Sequence, residues 1–404
     1  MRLLRKLMDS QGRHFQPGRP LARLHPLYEA FDTFLYSPAK VTRCAPHVRD
    51  GLDLKRLMGV VVFALIPCML MAMYNTGLQA NIVIAEQGVM PEGWRAGVVE
   101  ALGLGFSPDS FLSCFVYGAM FFLPVLIVTF AAGGTCEVIF AIVRRHEVNE
   151  GFFVTGMLLP CIVPPTIPLW QVAVAIVFGV VIAKEVFGGT GMNFLNVALA
   201  ARAMLFFGYP ATVSGDLVWV AVDGHSGPTM LVEAASGMEV LHQSAWSWWE
   251  AFVGFIPGSM GETSALACLI GAAILLVTQV ASWRVITGVV VGSLGTSLLL
   301  NALAGYVTNP FFDVPFHWHI VIGGWAFGTV FMATDPVTSA YTERGKWVYG
   351  ILIGVLAILI RVVNPAFPDG IMLAILFMNV FAATIDHVVV QGNIKRRLAR
   401  NAAV

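Results

Sequence analysis

The long segments of this chain read as oily helices joined by short polar stretches. A spanning helix needs roughly 20 apolar residues, fewer where it is broken and buried among neighbours. On that basis ten spans are predicted, near residues 57–78, 111–143, 152–166, 168–183, 194–208, 264–282, 285–303, 318–333, 347–362 and 371–387. The second is too long for one straight span, and Pro124 and the Gly133-Gly134 pair predict a kink. The pattern divides the chain into a polar extension (1–56), a first membrane half (57–208), a loop region (209–263), a second half (264–390) and a basic tail (391–404).

Composition agrees with that pattern. Hydrophobic residues make up 57% of the 404 and charged residues only 12%, more apolar surface than a soluble core absorbs. The expected class is an all-α polytopic membrane protein. The first 56 residues carry eleven Lys and Arg against five acids and lack the apolar stretch of a cleaved signal peptide. With that segment in the cytoplasm, 21 of the 24 basic residues fall on the cytoplasmic side; only Arg95 and Arg361 fall outside, and Arg202 lies within a helix. Both termini are therefore expected in the cytoplasm, with the chain crossing the membrane many times. Six scattered cysteines form no CxxC pair and suggest neither an iron–sulfur cluster nor a disulfide framework. Nothing points to nucleic acid as a partner; membrane lipid is one by necessity.

The two halves echo each other. Residues 153–185 and 331–361 share an aromatic start, a prolyl break, a tryptophan (Trp170, Trp347) and a Gly- and Val/Ile-rich helix ending in charge. On the topology above the two tryptophans face opposite sides. Five spans per half then predict an inverted repeat with broken helices near the midplane, and chance likeness between hydrophobic helices is the rival reading.

Inside the loop region lies DGHSGPTMLVE, residues 223–233. Asp223-Gly224, Ser226-Gly227 and Gly227-Pro228 are turn dipeptides, so the plain reading is a bent, exposed surface hairpin. Yet D-x-x-S-G-x-T, here Asp223, Ser226, Gly227 and Thr229, resembles the signature at which a flavin transferase joins flavin mononucleotide (FMN) through its phosphate to a threonine hydroxyl. Such a hydroxyl is a poor nucleophile without activation, which is why an enzyme is needed. Pro228 stands where that signature has alanine, and it keeps the segment extended.

HVRDGLDLKRLM, RRHEVNEGFFVTG, KEVFGGTGMNFLN, PGSMGETSALA, FMATDPVTSAY, GILIGVLAILIRVVNPAFPDG and DHVVVQGNIKRRLAR extend the likeness over nearly the whole chain. Together they resemble the family that includes the B subunit of the Na+-translocating NADH:quinone oxidoreductase and the D subunit of the Rnf complex. The resemblance implies covalent FMN on the extracytoplasmic side, non-covalent riboflavin deeper in, a ubiquinone site, a route for the pumped cation, and partner subunits, one of which oxidises NADH. It implies riboflavin near Asn193 and Asn196, and quinone near Gly133 and Gly134. Val197 stands where proline is expected in that family.

The residues themselves leave alternatives beside each role. No dinucleotide fingerprint is present, because Gly188-Gly189-Thr190-Gly191 follows a membrane helix and not a strand, so it serves close packing or flavin approach. Asn193 and Asn196 lie on one face at a helix start, suited to an isoalloxazine edge or to a cap and one interhelical bond. Gly133 and Gly134 suit a flat quinone headgroup or close helix packing. Glu137, Asp335 and Asp386 are carboxylates in or beside apolar spans, costly there and expected on a cation path, with structural caps or ion pairs as the alternative. Glu29 is a weaker membrane-surface candidate. His317-Trp318-His319 reads as an interfacial belt, and no metal site or catalytic side chain is assigned. Two function classes result: a flavin-bearing subunit of a redox-driven Na+ or H+ pump, or an inverted-repeat secondary transporter or channel without a redox cofactor.

Overall fold

The structure, a computed structural model, describes residues 2–15, 18, 19, 25, 28, 32, 44, 45, 54–88, 90–144, 151–222, 227–364 and 369–402. Every regular element among them is helical. A short helix, α1 (Arg2–Gly12), precedes the bundle. The first half holds α2 (Leu54–Gln87), α3 (Trp94–Ala101), α4 (Phe111–Arg144), α5 (Gly151–Cys161), α6 (Leu169–Phe178, prolonged by a π turn at Gly179–Lys184) and α7 (Val197–Gly208). Four short helices follow in the connecting region: a single turn at Pro210–Val213, then α8 (Met230–Ala235), α9 (Met238–His242) and α10 (Trp248–Val253). The second half holds α11 (Ala265–Val277), α12 (Trp283–Leu303), α13 (Phe316–Val321), α14 (Trp325–Phe327, running into a π turn at Gly328–Met332), α15 (Glu343–Val363) and α16 (Ile371–Ala402).

Length sorts these helices. Six apolar helices are long enough to cross a membrane: α2, α4, α6 with its extension to Phe187, α12, α15 and α16. In contrast α5, α7 and α11 have 11, 12 and 13 residues, about 16–20 Å at 1.5 Å per residue, against a hydrocarbon core of about 30 Å. Their ends lie at depth, where backbone polar groups must be met by protein or by a polar cavity. The tenth apolar segment, Phe316–Met332, is broken at Gly323 and Gly324, and Gly323 holds φ 68°. The ten segments predicted from the sequence are all present, four of them short or broken.

Two boundaries differ from expectation. Helix α2 runs on to Gln87 because polar residues that read as its end find partners inside the bundle. Asn75 Nδ2 donates to the Ile256 carbonyl at 2.9 Å, and Asn81 Nδ2 reaches Ser113 Oγ at 3.3 Å. Helix α16 continues to Ala402, since nothing after Asp386 breaks it and Arg400 in its last turn complements the helix dipole.

The same pairings recur in each half. Helix α2 packs on α5 as α11 packs on α14 and its π turn; α4 packs on α6 as α12 packs on α15; α6 packs on α7 as α15 packs on α16. The halves then meet through α2 against α11 and α7 against α16, each a pair of corresponding helices. Spacing agrees: Lys184 stands fourteen residues after Trp170, and Arg361 fourteen after Trp347. Close approach depends on small residues, most plainly where Gly288 of α12 lies against Gly350 of α15 and an added Cβ would sit 3.1 Å from its Cα.

Candidate functional site

Two cavities lie between the halves, at opposite ends of the short helices. Val197 of α7 and Leu275 of α11 line the first; Phe206 of α7 and Thr263, just before α11, line the second. Nine residues of helix separate Val197 from Phe206, about 14 Å. Both cavities therefore occur where the short helices stop inside the membrane.

The first cavity, about 50 Å³, sits at the end where Lys184 and Gly151 lie. It holds a few water-sized groups. Two turns build it. After α6 the chain reverses through Gly188, Gly189 and Gly191, whose φ values of 122°, 97° and 92° suit glycine alone, so this glycine run is a turn. The turn delivers Asn193 and Asn196. Asn196 caps α7, its Oδ1 accepting from Leu199 N at 3.1 Å, while its Nδ2 lies 3.4 Å from Asp335 Oδ2 across the boundary between halves. Asp335 closes the second turn, accepting from Val337 N at 3.1 Å and Thr338 Oγ1 at 3.0 Å. Asn193 folds on its own loop, accepting from Gly191 N at 3.3 Å and donating to Leu195 O at 3.1 Å.

Glu137 reaches this corner from α4. Its carboxylate is buried and ion-paired with Lys184 Nζ, and the Lys184 side chain is itself only 4% exposed. The next residue, Glu185, pairs with Arg144 at 3.1 Å. Sequence reasoning placed Lys184 in a cytoplasmic loop. Instead the π turn swings it inward, a backbone detail that no hydropathy pattern carries.

The second cavity, about 100 Å³, carries Thr229 on its lining together with Trp219, Arg202, Glu262 and Asp369. Thr229 is half-buried at the N-cap of α8, and its side chain makes no capping hydrogen bond. Beneath it, buried Arg202 pairs with Glu262 at 2.8 Å and with Asp369 at 3.3 Å and reaches Ser259 Oγ at 3.4 Å. Arg361, 1% exposed, donates to the His319 carbonyl at 2.8 Å and lies 3.8 Å from Asp369. Asp369 also accepts from Gly324 N at 3.3 Å. Arg202 within a helix signalled the need for a partner. Glu262 and Asp369 escaped notice because they sit in Gly-rich loops.

The other predicted residues are spread apart. Asp386 of α16 accepts from Tyr341 N at 2.7 Å and Thr342 N at 2.9 Å, fastening the start of α15. Gly133 is buried, and a Cβ there would meet Ile176 at 2.8 Å and Phe152 closer still; neighbouring Gly134 is more open. His317 is exposed and His319 buried beside Phe311. Gly227 is half-buried, whereas Asp223, Ser226 and Glu29 lie outside the described residues.

Known proteins share this sequence along its whole length. The profile of the NQR2, RnfD, RnfE family matches residues 41–395. The B subunit of the Na(+)-translocating NADH-quinone reductase of Pseudomonas paraeruginosa is 56% identical over 402 residues, covering 98% of this chain and 99% of its own. The protein of the same name from Chromohalobacter salexigens is 57% identical over 401 residues, covering 99% and 97%. That from Azotobacter vinelandii is 56% identical over 403 residues, covering 99% and 100%. With a profile spanning most of the chain and relatives of this identity matched end to end, the chain belongs to the NQR2, RnfD, RnfE family.

Proposed function

We propose that this chain is the flavin-carrying membrane subunit of a redox-driven Na+ pump, working beside partner subunits, one of which oxidises NADH, and passing electrons to ubiquinone. The carrying observation is the place of Thr229. Its hydroxyl is not used for helix capping and lies on the lining of a cavity between the halves. A flavin transferase would join FMN there by a phosphoester, reading Asp223, Ser226, Gly227 and Thr229.

The residues around that cavity fit such a group. Trp219 offers an aromatic face, and Arg202 a fixed positive charge. Gly323 and Gly324 leave backbone bare beside Glu262 and Asp369. Bound FMN would supply electron transfer, while the protein's part is to hold the ring and set the charge around it. Arg202 keeps its direction because Glu262 and Asp369 hold it from two sides, so its positive end is pre-organised. The ionic cluster is cross-paired, with Arg202, Glu262 and Arg361 buried and Asp369 half-buried.

In this proposal riboflavin belongs at the Asn193–Asn196 corner and the quinone beside Gly134. The first cavity in its present shape takes water-sized groups, so a fused flavin ring would need the two turns to part, and no step is routed through it. Glu137, Asp335 and Asp386 form the cation path, with Glu29 at its surface. Asp335 is the strongest member, half-buried on the lining of the first cavity between the halves, at a helix break where carbonyl oxygens lie at hand.

Peptide mass spectrometry of protein made with an active flavin transferase tests the attachment. The peptide containing Thr229 should carry one FMN, and Thr229→Ala should remove the fluorescent band from a denaturing gel. An unmodified wild-type peptide would overturn the assignment and turn attention to Pro228.

A further inference from the structure

The two acids at this corner, buried Glu137 and half-buried Asp335, are treated differently. Glu137 has a fixed cation, Lys184. Asp335 is held only by neutral donors, the Val337 amide, the Thr338 hydroxyl and the Asn196 amide, and forms no ion pair among the described residues. An ionised carboxylate at that depth is costly unless something balances it. Lys184 lines the same small cavity as Asp335.

We propose that Lys184 is a tethered cation that competes with the transported ion for Asp335. This inference rests on the reading of Asp335 as part of the cation path. With Lys184 on Glu137, Asp335 faces the cavity without an ion-pair partner among the described residues and takes up one monovalent cation, sharing it with the Thr334 hydroxyl oxygen and water. When Lys184 turns to Asp335, the ammonium replaces the ion and expels it. The flexible four-carbon stem and compact charge of lysine suit this exchange. The ammonium and the ion would claim the same carboxylate in a cavity of about 50 Å³, and two cations on one carboxylate repel each other. Competition of this kind ties release of the ion to a protein movement, which is what separates a pump from a leak.

The test is equilibrium binding of radioactive sodium to the assembled complex, with flavin content and subunit composition measured on each sample. Asp335→Asn should abolish saturable binding. The double variant Glu137→Gln with Lys184→Gln removes the competitor without leaving its partner charged, and should bind Na+ about tenfold more tightly and turn over more slowly at saturating Na+. Retained binding in Asp335→Asn would overturn the site and the competition together. Loss there, combined with wild-type or weaker affinity in the double variant, would overturn the competition alone and leave the Asp335 reading standing. Should the double variant fail to assemble, Lys184→Arg decides: a longer, permanently charged group should weaken Na+ binding about tenfold, and wild-type affinity would refute the proposal.

Discussion

The two cavities occupy corresponding ends of the repeat and handle charge in opposite ways. At the second, Arg202, Arg361, Glu262 and Asp369 share their charges in one cluster of two cations and two anions. At the first, Lys184, the counterpart of Arg361, balances Glu137, while Asp335 has neutral donors and no ion-pair partner among the described residues. In the proposed reading, a site for a permanently attached group gains from being self-neutral, because its charges then hold still, and a site that must fill and empty needs one charge left over. One framework would serve both purposes because the residues at the helix breaks, and not the helices, set the balance.

The largest expected effect is at the self-neutral cavity. Arg202→Met removes the cation that faces Glu262 and Asp369 and leaves buried Glu262 and half-buried Asp369 with reduced compensation, a change of about 3–5 kcal/mol for breaking the buried Arg202–Glu262 pair. The purified complex should lose this subunit or inactivate irreversibly at markedly lower temperature. A variant as durable as wild type would mean that water reaches the cluster, and the contrast between the cavities would fail.

A smaller loss is expected from Gly324→Ala. Its Cβ would stand 2.5 Å from Glu262 Oε1, so the ion-pair cluster must shift, for about 1–3 kcal/mol. The control is Gly134→Ala, whose Cβ meets nothing closer than Phe152 at 3.7 Å and should leave stability unchanged. Thermal inactivation of the two variants side by side checks the difference; equal stability would show that the second cavity is not tightly packed.

Hydropathy carried most of the fold. It located all ten apolar segments, and the likeness of residues 153–185 to 331–361 announced the repeat that the helix pairings display. It overran the short helices and stopped too early on α2, where Asn75 and Asn81 are polar in composition but satisfied in place. The candidate site was legible in pieces. Asn196 and Asp335 were each singled out, but not that one donates to the other across the halves. Lys184 looked like a loop cation because the π turn that buries it depends on backbone hydrogen bonding, and Glu262 and Asp369 looked like loop acids because their partners come from α7 and α15. Charge pairing between distant segments is the information a single chain read in order does not display.

The smallest stability effect is expected at Asp335 itself, and it sharpens the comparison most. In Asp335→Asn the side chain keeps its size, and its remaining carbonyl oxygen still accepts from Val337 N or Thr338 Oγ1. What disappears is a half-buried charge with no ion pair among the described residues, so the loss of one hydrogen bond, about 1 kcal/mol, is offset by the relief of desolvation. Thermal inactivation should shift little in either direction while saturable Na+ binding vanishes. Arg202→Met should behave the other way, failing first in assembly. If Asp335→Asn destabilises the complex as strongly as Arg202→Met, Asp335 is balanced by a structural partner after all, and the first cavity is as self-neutral as the second.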